Sequence, residues 1–235
     1  MGTKKIEIEV PTSLEDITLR QYQHYMKIVE QNEDKSATDF INKKLVEIFC
    51  SVNLSEVDKI PLVEYDKILL VLEEAFKEKS PLIKNFTMGD VEFGFIPKLD
   101  EMSLGEYVDV EATLSDWENI HKAMSVLYRP VNFKSKEMYT VAPYEPNDEI
   151  KEWMKEMPLS VVMSCLVFFY SLGIELSRAS LGYMEKAIAQ SKTSAIKEVL
   201  EENGVGIHQF MDSLKETSQS LTKLQKNQYL SVSLT

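Results

Sequence analysis

The chain has few residues that break helices and few that carry out chemistry. Its eight glycines and eight prolines in 235 residues fall well below average usage of roughly 7% and 5%. Few sharp turns therefore interrupt the chain, which favours long helices over many short strands. Two cysteines argue against a disulfide framework. Three histidines leave little material for acid–base or metal chemistry.

Sequence motifs of common catalytic and nucleotide-binding sites are missing as well. The chain has no GxxxxGK[ST], GxGxxG, GxSxG or HExxH pattern. Glu118 and His121 form a single Glu-x-x-His, whereas a di-iron bundle site needs two such motifs and two more glutamates. His24 has no partner that the sequence places beside it, so it is interpreted as a structural histidine. We expect no enzymatic activity, no cofactor and no metal.

The formal charge of −12 argues against direct, sequence-specific binding of nucleic acid, which needs clustered Lys and Arg. A short basic stretch interrupts the acidic chain, formed by Lys122, Arg129, Lys134 and Lys136. It is interpreted as a solvated face, with a docking surface for an acidic partner as the alternative.

Two further features bear on where the protein works. Cys50 and Cys165 lie in apolar stretches and are predicted to be buried free thiols. The N-terminal segment lacks the apolar region of a signal peptide. The one long apolar run, residues 159–174, is shorter than the roughly 20 residues of a membrane span. It is predicted to be a buried core helix, and no membrane partner is expected.

The pattern predicts a mainly α fold, with a bundle-like helical body and a small β element near residues 4–10 and 84–96. Ile6, Ile8 and Val10 alternate with glutamates, as in a half-buried strand, and Gly89 suits the turn of a hairpin. Helices are predicted over residues 18–31, 37–50, 61–80, 115–127, 147–157, 158–190, 194–203 and 207–224. An irregular connection over 131–147 includes a short strand at 138–141.

The predicted domains are an N-terminal strand with helices (1–83), a hairpin with the main helical body (84–217) and a loose C-terminal tail (218–235). The alternative is one continuous domain. A local match complicates this division, because residues 97–107 repeat residues 11–22 with one connector residue fewer. Both contain a capping box, Thr18 with Gln21 and Ser103 with Glu106. The match indicates either a common way to start a helix or an internal duplication, whose N-terminal strand would then pair beside the hairpin.

Four segments carry a resemblance to a known group of proteins: FIPKLDEMSLGEYVD (95–109), WENIHKAMSVLYRPV (117–131), MPL (157–159) and VFFYSLGIEL (167–176). In order and spacing they resemble proteins from structural gene clusters of tailed bacteriophages, including the crAss-like group. The resemblance covers roughly residues 95–185. Residues 1–90 are only loosely similar, at the start of their first helix, to tail or baseplate assembly proteins.

The resemblance implies a non-enzymatic protein of the virion that passes through the host cytoplasm before assembly. It would be a component of the portal–tail region or a cargo protein ejected with the genome, in many copies or as a homo-oligomer. Portal, neck or tail proteins would be its partners. Trp117, Tyr128 and Arg129 are the candidate contact residues, although an ordinary core would also use such residues. The alternatives are an assembly chaperone absent from the finished particle, and a helical enzyme with His24 and His121 buried beside acids in one cleft.

Overall fold

A computed structural model of the protein describes residues 7–32, 38–78, 80–136 and 138–190, together with residues 212, 213, 215, 216, 219, 221 and 222. Eight α-helices and one four-stranded antiparallel sheet occur in this part of the chain. The prediction of a mainly α fold with a small sheet is confirmed.

The first four helices precede the sheet. They are α1 (Leu19–Gln31), α2 (Thr38–Phe49), α3 (Leu54–Val57) and α4 (Leu62–Phe76). Aromatic side chains join three of them: the rings of Tyr25 and Phe49 are 5.4 Å apart, and so are those of Phe49 and Phe76. Since all three side chains are buried, these ring contacts form the N-terminal part of the core.

The sheet has the strand order β1-β2-β3-β4, with β1 (Asn85–Met88), β2 (Val91–Phe95), β3 (Tyr128–Ser135) and β4 (Met138–Val141). The predicted hairpin at 84–96 is confirmed as β1 and β2, which pair from Asn85 with Gly94 to Met88 with Val91. Gly89 has a φ of +58° in the turn, a conformation that glycine adopts at no steric cost.

Between and after the strands come α5 (Leu104–Thr113), α6 (Ile120–Leu127), α7 (Asp148–Trp153) and the long α8 (Leu159–Gln190). Contacts divide the chain into two compact units, and the division falls inside α8, between Cys165 and Leu166. The sheet and α1–α7 belong to the first unit. The domain boundaries proposed from the sequence stay predictions.

Several predicted elements differ from those observed. Residues 7–10, the described part of the predicted N-terminal strand, are not in a strand. Residues 131–135 of the predicted irregular connection belong instead to strand β3, whereas the short strand predicted at 138–141 is confirmed as β4. The α6 helix begins at Ile120 rather than at residue 115. The predicted helix at 194–203 lies outside the described residues, as do most of the one at 207–224 and most of the predicted tail.

The long helix α8 begins directly after Pro158, as predicted, and its first turns are core. Leu159, Val161, Val162 and Cys165 are buried, which confirms the core interpretation for this part of the run. The helix nevertheless extends well past residue 174. By length and composition the stretch Leu159–Lys186 could cross a membrane: its most apolar 18-residue window has a mean hydropathy of 1.9, and 44% of that window is buried. The length argument against a membrane span therefore no longer holds, and the absence of a membrane partner stays a prediction.

Gly94 in β2 leaves room for a tyrosine that reaches over the neighbouring strand. A Cβ atom at this position would lie 2.5 Å from Cε2 of Tyr139, whose hydroxyl donates a hydrogen bond of 2.6 Å to the Phe95 carbonyl. Substitution Gly94→Ala forces this ring to move, so we expect the free energy of unfolding to fall by about 1–3 kcal/mol. Urea denaturation followed by circular dichroism measures the change.

A second glycine provides a control of opposite sign. A Cβ atom at Gly105 in α5 would have no neighbouring atom within 4 Å, so Gly105→Ala meets no steric obstacle. Because alanine favours helix over glycine, this change is expected to stabilise the protein by up to about 1 kcal/mol. Equal effects of the two substitutions would contradict the role assigned to Gly94.

Candidate interaction surface

The two matching sequence segments form the same local structure. We call residues 11–22 the N-terminal motif and residues 97–107 the central motif. Thr18 and Ser103 are extended N-cap residues, with φ and ψ of −85° and 154° and of −69° and 159°. Each closes a capping box, with Gln21 or Glu106 as the reciprocal partner. Both predicted capping boxes are thus confirmed, whereas the strand expected before the first one is not observed in residues 7–10.

The N-terminal motif is covered by the segment that leads into α8. Leu19 N–H donates to the Met157 carbonyl at 2.9 Å, and Leu159 N–H donates to the Ile17 carbonyl at 2.8 Å. These bonds flank an antiparallel bridge between Thr18 and Pro158. The side chains of Ile17 and Leu19 are completely buried.

The central motif exposes the equivalent side chains. Leu104, which corresponds to Leu19, is 80% exposed, and Tyr107, which corresponds to Tyr22, is 53% exposed. Val108 is exposed as well. The three side chains lie on one face of α5, because positions three and four apart are neighbours on a helix. This exposed face of α5, formed by Leu104, Tyr107 and Val108, is called the α5 face below.

The opposite side of α5 is held to the sheet by an ion pair. Arg129 Nη2 lies 2.7 Å from Glu106 Oε1, and the two side chains are only 13% and 10% exposed. The same guanidinium donates to the carbonyls of Val126 and Ala142. Arg129 is therefore a structural link between α5, β3 and the loop after β4, with little surface left for a partner.

Desolvation on burial raises the pKa of Glu106, but hydrogen bonds from Ser103 and the guanidinium of Arg129 outweigh it and hold that pKa below its usual value. A carboxylate with a lowered pKa stabilises the folded state above its unfolded pKa of about 4.3. This stabilisation is lost as the pH falls through the folded pKa. The pair is thus intact throughout the neutral range.

Tyr128 lies in the core and has no exposed surface. Its hydroxyl donates to the Ile83 carbonyl at 2.8 Å, and Ile83 N–H donates to the Ser164 hydroxyl at 3.1 Å. Burial raises the pKa of the phenol far above its usual range. The structure does not support a contact between Tyr128 and a partner, because the side chain instead anchors the segment between α4 and β1.

Trp117 is the one sequence-derived candidate with open surface. Its ring lies edge-on to Tyr22, with centroids 4.8 Å apart, and it borders a shallow cleft of about 390 Å³. The other residues that line this cleft are polar or charged for the most part and come from α1, the turn before α6 and the 3₁₀ turn before α8: Arg20, Gln23, His24, Met26, Lys27, Glu30, Gln31, Glu118 and Lys155. Both positive and negative side chains line it, so the cleft has no strong preference for an anion or a cation.

The two described histidines lie in different surroundings. His24 is exposed on α1, whereas His121 is buried, with its Nδ1 3.2 Å from Gln23 Nε2. Glu152 Oε1 lies 3.9 Å from the other ring nitrogen. The buried pair of histidines that would favour a helical enzyme is therefore not formed by His24 and His121. That the protein is not an enzyme stays a prediction.

Both cysteines are free and buried, as predicted. Burial raises the pKa of Cys50 to about 11, and it raises the pKa of Cys165 further still. Thiols with such pKa values are poor nucleophiles at neutral pH. Within the described ranges no three His, Cys, Asp or Glu side chains gather as a metal ion would require.

The exposed apolar side chains are the features that sequence reasoning missed. Besides the α5 face, Phe133 and Met138 are exposed near the turn between β3 and β4, and Leu62 is exposed at the start of α4. Their spacing resembles that of core residues, so a single sequence cannot separate them from the core. The sequence does contain one relevant signal, the match between the two motifs. Two similar helix starts need similar covering segments, and a motif without such a segment is left exposed.

Comparisons with protein-family models, with curated proteins and with solved structures find no match to this chain.

Proposed function

We propose that the chain is a non-enzymatic protein of a tailed bacteriophage that acts through protein–protein contacts. It is a virion component of the portal–tail region or a cargo protein ejected with the genome. The sequence resemblance over residues 95–185 supports the source. The α5 face lies inside this stretch and is the observation that carries the contact function, since exposed apolar side chains that adjoin one another mark interaction sites.

A second candidate shares this observation. An assembly chaperone absent from the finished particle would also present exposed apolar side chains to its client. The net charge of −12 keeps either protein from adhering to DNA or anionic lipid. Presence in the particle separates the two candidates.

Quantitative mass spectrometry of purified particles tests the proposal. We expect the protein in the particle at a copy number equal to or above that of the portal protein, with a phage replication enzyme at background as the control. Absence from particles, together with abundance in infected cells, would overturn the virion role and favour the chaperone.

A further inference from the structure

In the N-terminal motif, residues 157–159 pair with the backbone at the start of the helix. The central motif has the same cap and similar apolar residues, but no such segment lies on it in the described part of the chain. We infer that the central motif is a docking site for an extended segment of a partner protein with the pattern apolar–proline–apolar, flanked by basic residues. This inference deepens the proposed function, on which it rests, by naming the chemistry of one contact.

The first step is the equivalence of the two motifs. They share the extended N-cap and the capping box, and apolar residues occupy matching places on either side of the cap. The matching pairs are Ile17 with Met102, Leu19 with Leu104, and Tyr22 with Tyr107. A segment that pairs with the backbone of one motif can therefore pair in the same way with the backbone of the other, beside similar apolar side chains.

The second step is the way the cover is bound. The carbonyl before Pro158 and the N–H after it make the two bonds to the N-terminal motif. Pro158 itself lies opposite Thr18, in the position of an antiparallel pair where neither residue needs to donate to the other. Proline, which has no N–H, is therefore tolerated here and keeps the segment extended.

The third step is that the same groups are open in the central motif. Leu104 N–H and the Met102 carbonyl correspond to the two groups that bind the cover of the N-terminal motif. In the described part of the chain no backbone group pairs with either of them. Leu19 is fully buried, whereas Leu104 is 80% exposed and Tyr107 beside it is 53% exposed. Docking of a similar segment would remove this apolar surface from water.

The fourth step identifies the occupant as a different protein. Residues 157–159 already cover the N-terminal motif of their own chain, so a second copy cannot offer them. The largely exposed stretch Ile60-Pro61-Leu62 has the same apolar–proline–apolar pattern, but Asp58, Lys59 and Glu64 give its flanks a net negative charge. The surroundings of the central motif are acidic, with Asp100, Asp109 and Glu111 exposed. Lysine or arginine beside the proline of the partner would complement this charge.

The test uses the intact chain and a fluorescent peptide of residues 156–164 with two lysines added at each end. We expect saturable binding by fluorescence anisotropy and a loss of affinity of about tenfold or more on Leu104→Asp. Aspartate in the first turn of a helix is favourable, so this variant should fold. Leu62→Asp is the matched control, because Leu62 is also the first residue of a helix and is 73% exposed. It should change the affinity by less than about twofold.

A scrambled peptide with the same lysines should bind at least about tenfold more weakly. The inference is overturned if the peptide does not bind below about 1 mM, or if the scrambled peptide binds equally well. It is also overturned if Leu104→Asp leaves the affinity for the peptide unchanged. A further contrary result is that the protein forms a dimer that Leu104→Asp dissociates but that the peptide does not. These outcomes leave the proposed function standing, since that is decided by the presence of the protein in particles.

Discussion

Replacement of Arg129 by methionine is expected to lower the free energy of unfolding by about 3–5 kcal/mol. Methionine fills much of the space of the arginine stem but leaves the carboxylate of Glu106 buried without its counter-charge. It also removes the donors to the carbonyls of Val126 and Ala142. An unpaired buried charge costs far more than a lost surface ion pair, because desolvation is no longer compensated.

A surface pair of the same sheet supplies the control. Lys134 and Glu92 form an ion pair on β3 and β2 with both side chains partly exposed to water. Lys134→Met should therefore cost less than about 1 kcal/mol in the same urea denaturation experiment. If Arg129→Met proves no more costly than Lys134→Met, the buried pair is not the link described above.

The double variant with Glu106→Gln and Arg129→Met separates charge from packing. It leaves no buried charge, so it should be more stable than Arg129→Met alone. The difference in the free energy of unfolding that remains between the double variant and the wild type then measures the loss of the hydrogen bonds from the guanidinium to the two carbonyls. A double variant that is less stable than the single one would contradict this electrostatic explanation.

The elements that could be predicted from the sequence are those set by neighbouring residues. The capping boxes at Thr18 and Ser103 satisfy helix N–H groups within three positions. Gly89 determines its turn through its own φ angle. In each case the favourable conformation depends on side chains close in the sequence.

The elements that were missed depend on distant partners. Strand β3 contains Pro130, yet it pairs on one side with β2 and on the other with β4. The Pro130 carbonyl accepts a hydrogen bond from Ala142 N–H, so its missing donor does not prevent pairing. Apolar residues and glutamates alternate over residues 7–10 as in a strand, but the described sheet consists of β1 to β4 and does not include them.

The same limit applies to the candidate site. Leu19 and Leu104 follow their caps in nearly identical local sequences, and one is buried while the other is exposed. Local sequence sets the helix start in both, whereas burial depends on a segment about 140 residues away in the first case. Tyr128 and Arg129 were predicted to be contact residues, but their bonds inside the fold are made to Ile83 and Glu106, which are distant in the sequence.

His121 is expected to make the protein sensitive to mild acid. Burial, reinforced by the positive charge of Lys155, lowers the pKa of this histidine from 6.5 to about 4, although Glu152 acts in the opposite direction. Between these two pKa values the unfolded chain binds a proton that the folded chain does not. Stability is therefore greatest above the unfolded pKa and falls with the pH through this window.

The expected loss attributable to His121 between about pH 7 and about pH 5 is about 2 kcal/mol. His121→Asn is the reference variant, because its side-chain oxygen can accept the hydrogen bond from Gln23 and it does not titrate. Urea denaturation at both pH values should show a steeper loss of stability in the wild type than in His121→Asn. Carboxylates contribute equally to both proteins, so their effect cancels in the difference. Parallel losses in the two proteins would mean that His121 is already accessible to protons in the folded state, and the buried position between α1 and α6 would then not be maintained in solution.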